Sequence, residues 1–457
     1  MRAKANVCRS LCILALSCLI LAGISLGTAG ATTKVQFRAN KGMTDENWEK
    51  WKSIVQDNVI KMGEDIKVEF VPGRSDVSVP KEREEVATIM ITGQSLPDLT
   101  SLTVEDYAEY VTAGWLDAEA LMEHMPKDFW NRLFPVHQSI YAAAWGNKYY
   151  AVPWRFGVGV LYVRKDLLGK YGYKVTPLQF DSNPSLGNLI DAAKKVSEKE
   201  GVPYGWIAPH EGGSFDGFFF ELLRAFDGYL YGGKQYLYGP VGDRPITADA
   251  PEVIMTLKAW QDLYLKHKIM PKEAISWNNS DAMRMFGAGK SVFMRLWNFG
   301  ITQLEPVTGL SSEKWAATPL YSAMSPHGNS SMGGWWWGVN PNSKNKRAAV
   351  KVIQAAAEPN SLLFLINAMG ALPPYSALFT PEKIKEVSPL LAPYARTIGQ
   401  AVQYANERPF SPVYGELRAL LIDVLKPMLI GQYDVKEAVQ RLEAGMRKIE
   451  EEYGRKK

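Results

Sequence analysis

Apolar side chains recur along this chain at two spacings, and the two take turns. Lys34–Phe37 and Ile66–Val71 alternate apolar with polar residues, the period of a half-buried strand. Between them Glu46–Met62 carries its apolar residues at helical spacing, and a second helical stretch, Lys81–Ile91, leads to Gly93 and Pro97-Asp98-Leu99. This strand and helix rhythm predicts an α/β fold with a parallel sheet covered by helices, whose ligands bind beyond the carboxyl ends of the strands. Tyr107–Ala113 and Glu119–Met122 read as short helices around the turn Gly114-Trp115-Leu116-Asp117. Further helices are predicted over Gly187–Lys199, Phe218–Phe226, Ala250–His267, Lys346–Ala356, Ser361–Asn367, Pro412–Leu429 and Val435–Glu451, the last capped by Asp434. Tyr149–Trp154 and Val158–Val163 read as extended. They are positioned to cross between two lobes, and two are expected because residues 32–457 exceed the size at which a single core keeps growing. Pro and Gly clusters at 240–245, 319–334 and 370–374 mark loops or lobe boundaries.

The first 31 residues follow a different pattern. Arg2, Lys4 and Arg9 form a basic start, Leu11–Leu26 is mostly apolar, and Ala29-Gly30-Ala31 offers small side chains before Thr32, so residues 1–31 read as a cleavable signal peptide. The expected destination is the periplasm, with soluble release. Cys8, Cys12 and Cys18 are the only cysteines, and all lie in that segment. The remaining chain therefore depends on packing and polar pairing rather than on disulfides. Removing Arg2, Lys4 and Arg9 leaves 49 basic residues against 48 acidic ones, a balance that gives no footing for capture of nucleic acid.

Signals of catalysis are mostly missing. The sequence has no GxSxG, HExxH, GxGxxG or phosphate-loop motif, no mature thiol, and no cofactor-binding signature. His124, His137, His210, His267 and His327 are scattered without metal-site spacing, and the acidic groups Asp45-Glu46 and Glu82 with Glu84-Glu85 read as solvated helix faces. Tryptophan is the positive signal. All fourteen lie in the mature chain, and several neighbour hydrogen-bonding residues: Trp154-Arg155, Arg295-Leu296-Trp297-Asn298 and Trp335-Trp336-Trp337. A sugar ring presents apolar C–H faces and an edge of hydroxyls, which an aromatic plate beside Asn, Asp or Arg complements. If the triple is extended, Trp335 and Trp337 share one face and Trp336 takes the other, so at least one is structural. Met332-Gly333-Gly334 before it suits either close backbone approach to a ligand or a flexible loop.

The order of the segments resembles the extracellular solute-binding proteins of bacterial ABC importers, specifically the sugar-binding family that includes maltose-binding proteins. The resemblance runs over residues 34–451. It is carried by Gly93 with Pro97-Asp98-Leu99; Ala113-Gly114-Trp115-Leu116; Gly146-Asn147-Lys148-Tyr149-Tyr150-Ala151-Val152-Pro153; and Leu161-Tyr162-Val163-Arg164-Lys165-Asp166-Leu167. Met285–Met294, Ser343-Lys344-Asn345, Arg408-Pro409 and Gly431 continue it. The resemblance implies a periplasmic-binding-protein-like fold, with two discontinuous lobes, a hinge and a ligand cleft between them. Lobe 1 would comprise 32–154 and about 318–385, lobe 2 about 155–317 and 386–457. It further implies a monomer that carries a carbohydrate to ABC permease membrane subunits and hydrolyses nothing.

By family position, Trp154, Trp297 and Trp336 are expected to stack on the sugar, and Asp98, Arg155 and Asn298 to make polar contacts. Tyr150, Gly334 and Trp335 are expected in the same cleft-facing elements, while Tyr162 and Arg408 are expected to pack or brace the hinge. The chain departs from the family pattern at Tyr162-Val163-Arg164-Lys165, where many relatives carry Tyr-Asn-Lys, and after Pro177, where a Thr-Trp pair is replaced by Leu178-Gln179-Phe180-Asp181. The first change touches a structural turn of the family pattern and loosens assignment to one sugar subgroup, while the second is read as an altered helix start. The open alternatives are a receptor for a polyamine, peptide or anion, a sensor rather than an import receptor, and a secreted carbohydrate-active enzyme.

Overall fold

Alternation becomes sheet where it was expected. In the computed structural model, β1 (Thr33–Asn40) buries Val35, Phe37 and Ala39 and pairs in parallel with β2 (Ile66–Gly73) in register from Thr33↔Ile66. The structure describes residues 32–40, 42–73, 85–89, 92, 96–134, 148–182, 184–237, 241–406 and 408–455. The predicted signal segment 1–31, Gly93, His137, Gly146-Asn147 and parts of the helix predicted over 81–91 lie outside them. Between β1 and β2 runs the helix Asp45–Lys61. Thr44 caps it by accepting from Asn47 N, Asp45 and Glu46 sit in its first turn, and its inward stripe is Trp48, Trp51, Val55 and Val59.

The other strands are β3 (Leu99–Thr103), β4 (Ala151–Val163), β5 (Tyr204–Ile207), β6 (Ser291–Trp297), β7 (Ala316–Thr318), β8 (Ser330–Val339) and β9 (Ala405–Asn406). They form one path, β2-β1-β3-β8-β4-β6-β5, with β7 beside β4 and β9 beside β8. The sheet is mixed rather than wholly parallel. β1 pairs in parallel with β2 and β3, and β5 with β6, but β8 and β4 run antiparallel to each of their neighbours along the path.

Those two strands join the lobes. The first half of β4 pairs with β8, and the second half with β6 and β7, so the two predicted crossover segments are one continuous strand. The first lobe packs two clusters on opposite faces of its sheet. One gathers Val35, Phe37, Trp51, Trp154 and Trp337 beneath the helices Asp45–Lys61, Lys346–Ala356 and Pro359–Met369, and the other gathers Leu102, Tyr107, Met332 and Trp336. Trp51 Nε1 donates to Ser361 Oγ at 2.9 Å and Asn58 Nδ2 to the Ala355 carbonyl at 3.0 Å, buried ties between chain segments some 300 residues apart.

The second lobe holds the largest cluster, built on β5, β6 and the helices Leu186–Glu200, Gly213–Ala225, Pro251–Leu265, Tyr414–Leu429 and Val435–Arg455. The helix predicted from Phe218 thus starts at Gly213. Leu320 and Tyr321 also pack in this lobe, and β7 pairs with the far half of β4. The chain therefore returns to the first lobe within β8, near Met332, later than the expected 318. Phe410 is a further crossing: its ring packs in the first lobe, while Tyr414 a few residues on belongs to the second.

Candidate ligand site between the lobes

Where β8 and β4 pass between the lobes, the sheet loses its cover. β8 is buried except at Gly333, Gly334 and Trp335, and β4 except at Arg155 and Gly157. These residues face one another in the pairing Arg155↔Trp335, Phe156↔Gly334 and Gly157↔Gly333, so the partly exposed patch is one stretch of two-stranded ribbon. Three of its members are glycines, which leaves the ribbon without side chains over it there.

Against this patch stands Trp297, the last residue of β6. A Cβ at Gly333 would sit 3.4 Å from its six-membered ring, so a side chain there would fill the space between strand and indole. The ring is positioned by polar groups: Trp297 Nε1 donates to Ser214 Oγ at 2.9 Å, and that hydroxyl donates to Asn279 Oδ1 at 2.8 Å. The Tyr162 hydroxyl donates to the Trp297 carbonyl at 2.9 Å. The Arg295 guanidinium lies 4.2 Å from the ring centroid and that of Arg408 5.8 Å, both within cation–π range. Trp297 remains partly exposed despite this framing.

Both arginines are paired. Arg295 is fully buried and grips Glu221 bidentately, with Nε to Oε2 at 2.7 Å and Nη2 to Oε1; Ser331 N also donates to Oε1, at 3.1 Å. Glycine is required at 159, because a Cβ there would fall 2.0 Å from Glu221 Oε1. Arg408 Nη1 donates to Asp216 Oδ2 at 3.0 Å and to the Gly213 carbonyl at 3.2 Å, while Nη2 pairs with Glu105 and donates to the Met332 carbonyl at 3.3 Å. The Tyr414 hydroxyl donates to Asp216 Oδ2 as well.

Burial alone would raise the Asp216 carboxyl, but Arg408, Arg418 and the Tyr414 hydroxyl together bring it below the usual carboxylate range. Burial likewise works against the Arg408 charge, and Glu105 with Asp216 outweigh it, so the guanidinium is held above its ordinary value. Among the described residues at this junction the buried charges compensate one another, and no group of three or more His, Cys, Asp or Glu is arranged to hold a metal ion.

The residues expected at the site separate into two sets. Trp154 is 2% exposed and stacked on Trp337 at 5.2 Å and 4°; Trp336 is 1% exposed, on the other face, against Tyr107 at 5.5 Å. Both are core residues here, which corrects their expected stacking role: a strand covered on both faces hides its side chains on both. Trp335 and Trp337 do share a face, as the alternation requires. Asn298 is also corrected. It is 1% exposed, with Oδ1 accepting from Val158 N at 2.9 Å and Nδ2 donating to the Gly370 carbonyl at 3.0 Å, so its amide is spent joining chain segments. Asp98 is spent the same way, accepting from Gln36 N at 2.9 Å and from Ser343 Oγ at 2.5 Å.

Trp297, Gly334, Trp335 and Arg155 remain in the exposed patch, the Arg155 guanidinium lying 4.6 Å and 5.2 Å from the Trp154 and Trp335 rings. Tyr150 is partly exposed, and its N donates to the Tyr107 hydroxyl at 2.9 Å. The sequence reading missed Ser214, Glu105 and Asp216. Gly212-Gly213-Ser214 before an apolar helical run was the available signal, a helix start with room for close approach.

Comparison with known proteins bears on what this junction is for. The sequence profile of the family described as bacterial extracellular solute-binding protein matches residues 47–361. A probable ABC transporter-binding protein of Deinococcus radiodurans is 29% identical over 213 residues, which is 46% of this chain and 47% of that protein; the match spans about half the length of this curated relative. Among solved structures, the maltose-bound MalE3 of T. maritima superposes with a TM-score of 0.76 at 24% identity, over 91% of this chain and all of that one. A solute-binding protein of an ABC transporter from Thermotoga lettingae, bound to α-D-tagatose, superposes with a TM-score of 0.74 at 18% identity, over 92% of this chain and all of that one.

Proposed function

The chain belongs to the bacterial extracellular solute-binding proteins, a family of binders rather than enzymes, and on that premise we propose that it captures a mono- or oligosaccharide between its lobes for delivery to an ABC permease. The observation that carries this reading is Trp297, held partly open over the glycine stretch of β8, with the two guanidiniums beside its ring, Arg295 and Arg408, already paired. An indole offers a sugar the apolar plate its C–H face needs, and Gly333, Gly334 and Gly157 leave room beside it for the hydroxyl edge.

Compensation of the charges is the argument against the rival ligands. A polyamine needs carboxylates with charge to spare, and an anion needs arginines or helix N-termini with charge to spare. Glu105, Asp216 and Glu221 are matched by Arg408, Arg418 and Arg295, which suits a neutral polyhydroxylated ligand. The receptors from T. maritima and Thermotoga lettingae were solved with maltose and α-D-tagatose, so the same fold accommodates both a disaccharide and a monosaccharide. The chain works in this proposal as a monomer in the periplasm, exported by residues 1–31.

The test is calorimetric titration and thermal shift of the ligand-free protein against mono-, di- and trisaccharides, with spermidine, amino acids and an organic phosphodiester alongside. One sugar class should raise Tm through preferential binding to the folded state, and Trp297→Ala should weaken that sugar on the order of 100-fold. A shift from spermidine or the phosphodiester with none from any sugar overturns the carbohydrate reading.

A further inference from the structure

The segment from β9 to Ser411 is anchored in one lobe and plugged into the other. On the second-lobe side, Phe410 N donates to the Leu237 carbonyl at 2.7 Å, and Arg408 reaches Asp216 and the Gly213 carbonyl at the start of the helix Gly213–Ala225. On the first-lobe side, the Phe410 ring lies 5.3 Å from the Tyr107 ring within the cluster that includes Trp336, and Arg408 pairs with Glu105, just beyond β3. Arg408, Phe410, Glu105 and Asp216 are all nearly excluded from solvent, with Arg408 6% and Phe410 5% exposed.

The fit at this point is close. A Cβ at Gly213 would lie 3.1 Å from Glu105 Oε1 and 3.4 Å from Arg408 Nη1, so the first turn of a second-lobe helix faces a first-lobe carboxylate across a gap too tight for an unshifted side chain. Separating the lobes would hydrate Glu105 and Arg408 and draw Phe410 from the Tyr107–Trp336 pocket, unless the segment left its second-lobe anchors instead. Either route breaks buried polar contacts and exposes an aromatic ring.

From this arrangement we propose that Glu105, Arg408, Asp216 and Phe410 form a clasp that holds the two lobes together without a ligand and thereby sets how much of the protein is closed before binding. Arg408 is then a positioning residue. It acts on ligand affinity through the open and closed populations, because the apparent affinity for a ligand of the closed form scales with the fraction already closed.

The test needs no ligand, so it stands apart from the carbohydrate reading. Cys8, Cys12 and Cys18 are the only cysteines, so a chain carrying Cys8→Ser, Cys12→Ser and Cys18→Ser accepts spin labels only where cysteine is introduced. Ile60→Cys on the first lobe and Ile254→Cys on the second replace exposed helical residues, 62% and 41% accessible. Pulsed electron–electron resonance on the ligand-free protein should give one short distance. Glu105→Gln and Phe410→Leu, two mild changes to the clasp's first-lobe contacts, one polar and one apolar, should each add a longer one, lowering the closed-to-open ratio by about tenfold or more. Glu450→Gln, which lies wholly within the second lobe, should lower Tm and leave the distances alone. The proposal is overturned by distributions for Glu105→Gln and Phe410→Leu that overlay the parent, or by a parent already centred on the long distance.

Discussion

Arg244 and Arg408 are both nearly buried and both bind carboxylates, yet their partners differ in kind. Arg244 reaches Glu450 through Nε at 2.9 Å and Nη2 at 2.5 Å, and Glu450 Oε2 in turn accepts from Gly242 N at 2.8 Å and Arg244 N at 3.2 Å. Its guanidinium also lies 3.9 Å from the Tyr231 ring centroid. All of these groups belong to one lobe, so the pair pins the C-terminal helix Val435–Arg455 to a loop that has no reason to move. Arg408 divides the same bonding capacity between Glu105 on one lobe and Asp216 on the other. The chemistry is shared, but one pair acts on folding and the other on the arrangement of two folded bodies.

Substitution should separate the two roles, most forcefully at Arg408. Arg408→Met leaves Glu105 buried without its counter-charge and Asp216 with Arg418 alone, which is expected to cost about 3–5 kcal/mol in urea unfolding and to raise the radius of gyration seen by X-ray scattering. Glu450→Gln is expected to cost about 2–3 kcal/mol with no change in radius, because the amide cannot neutralise Arg244 but both partners stay on one body. Equal changes in radius for the two variants would erase the distinction.

Acid supplies the next largest contrast. His210 is fully buried, with Nδ1 2.8 Å from the Ala208 carbonyl and Nε2 3.0 Å from the Tyr264 hydroxyl, and burial pushes its pKa down to about 3. The unfolded chain takes up this proton near pH 6.5 and the folded protein only near 3. Stability should therefore fall as pH drops below 6.5, by roughly 2 kcal/mol between pH 6.5 and 5, and His210→Gln should flatten that slope. Asp216 and Glu450 behave as depressed carboxylates. Their contribution is complete above the ordinary carboxylate range and is lost as pH falls through their lowered folded values, so lobe separation, which follows Asp216 alone of the two, should begin only at more acid pH than the His210 effect. The smallest change is Trp297→Phe. It keeps an aromatic ring over Gly333 and gives up the bond to Ser214, for about 1 kcal/mol of stability and a several-fold loss of ligand affinity.

The strands and helices were legible because their signals are local. The period of two in Lys34–Phe37 and the Trp48, Trp51, Val55 stripe follow from side-chain direction alone, as does the division of Trp335 and Trp337 from Trp336. Which tryptophan meets solvent depends instead on what covers each strand. Trp154 disappears beneath helices that begin near residue 346 and 359, and nothing around Trp154-Arg155 announces that cover. Asn298 and Asp98 misled for a related reason: a polar side chain beside an aromatic reads as a ligand contact, but each had a backbone group elsewhere in the chain to satisfy. Glu105 and Asp216 were missed because a carboxylate in a helical or turn sequence looks solvated until an arginine from residue 408 arrives.

The bond from Trp51 to Ser361 also bears on the order in which the protein can be made. A chain synthesised from its first residue has the strands of one half-built body long before residues 346–369 emerge to cover them, and the other body waits for Met446 in the final helix. Neither can close its core early. Long-range closure of this kind slows folding and leaves the growing chain pliable to its end, the state in which a polypeptide can still be threaded through a narrow conducting channel.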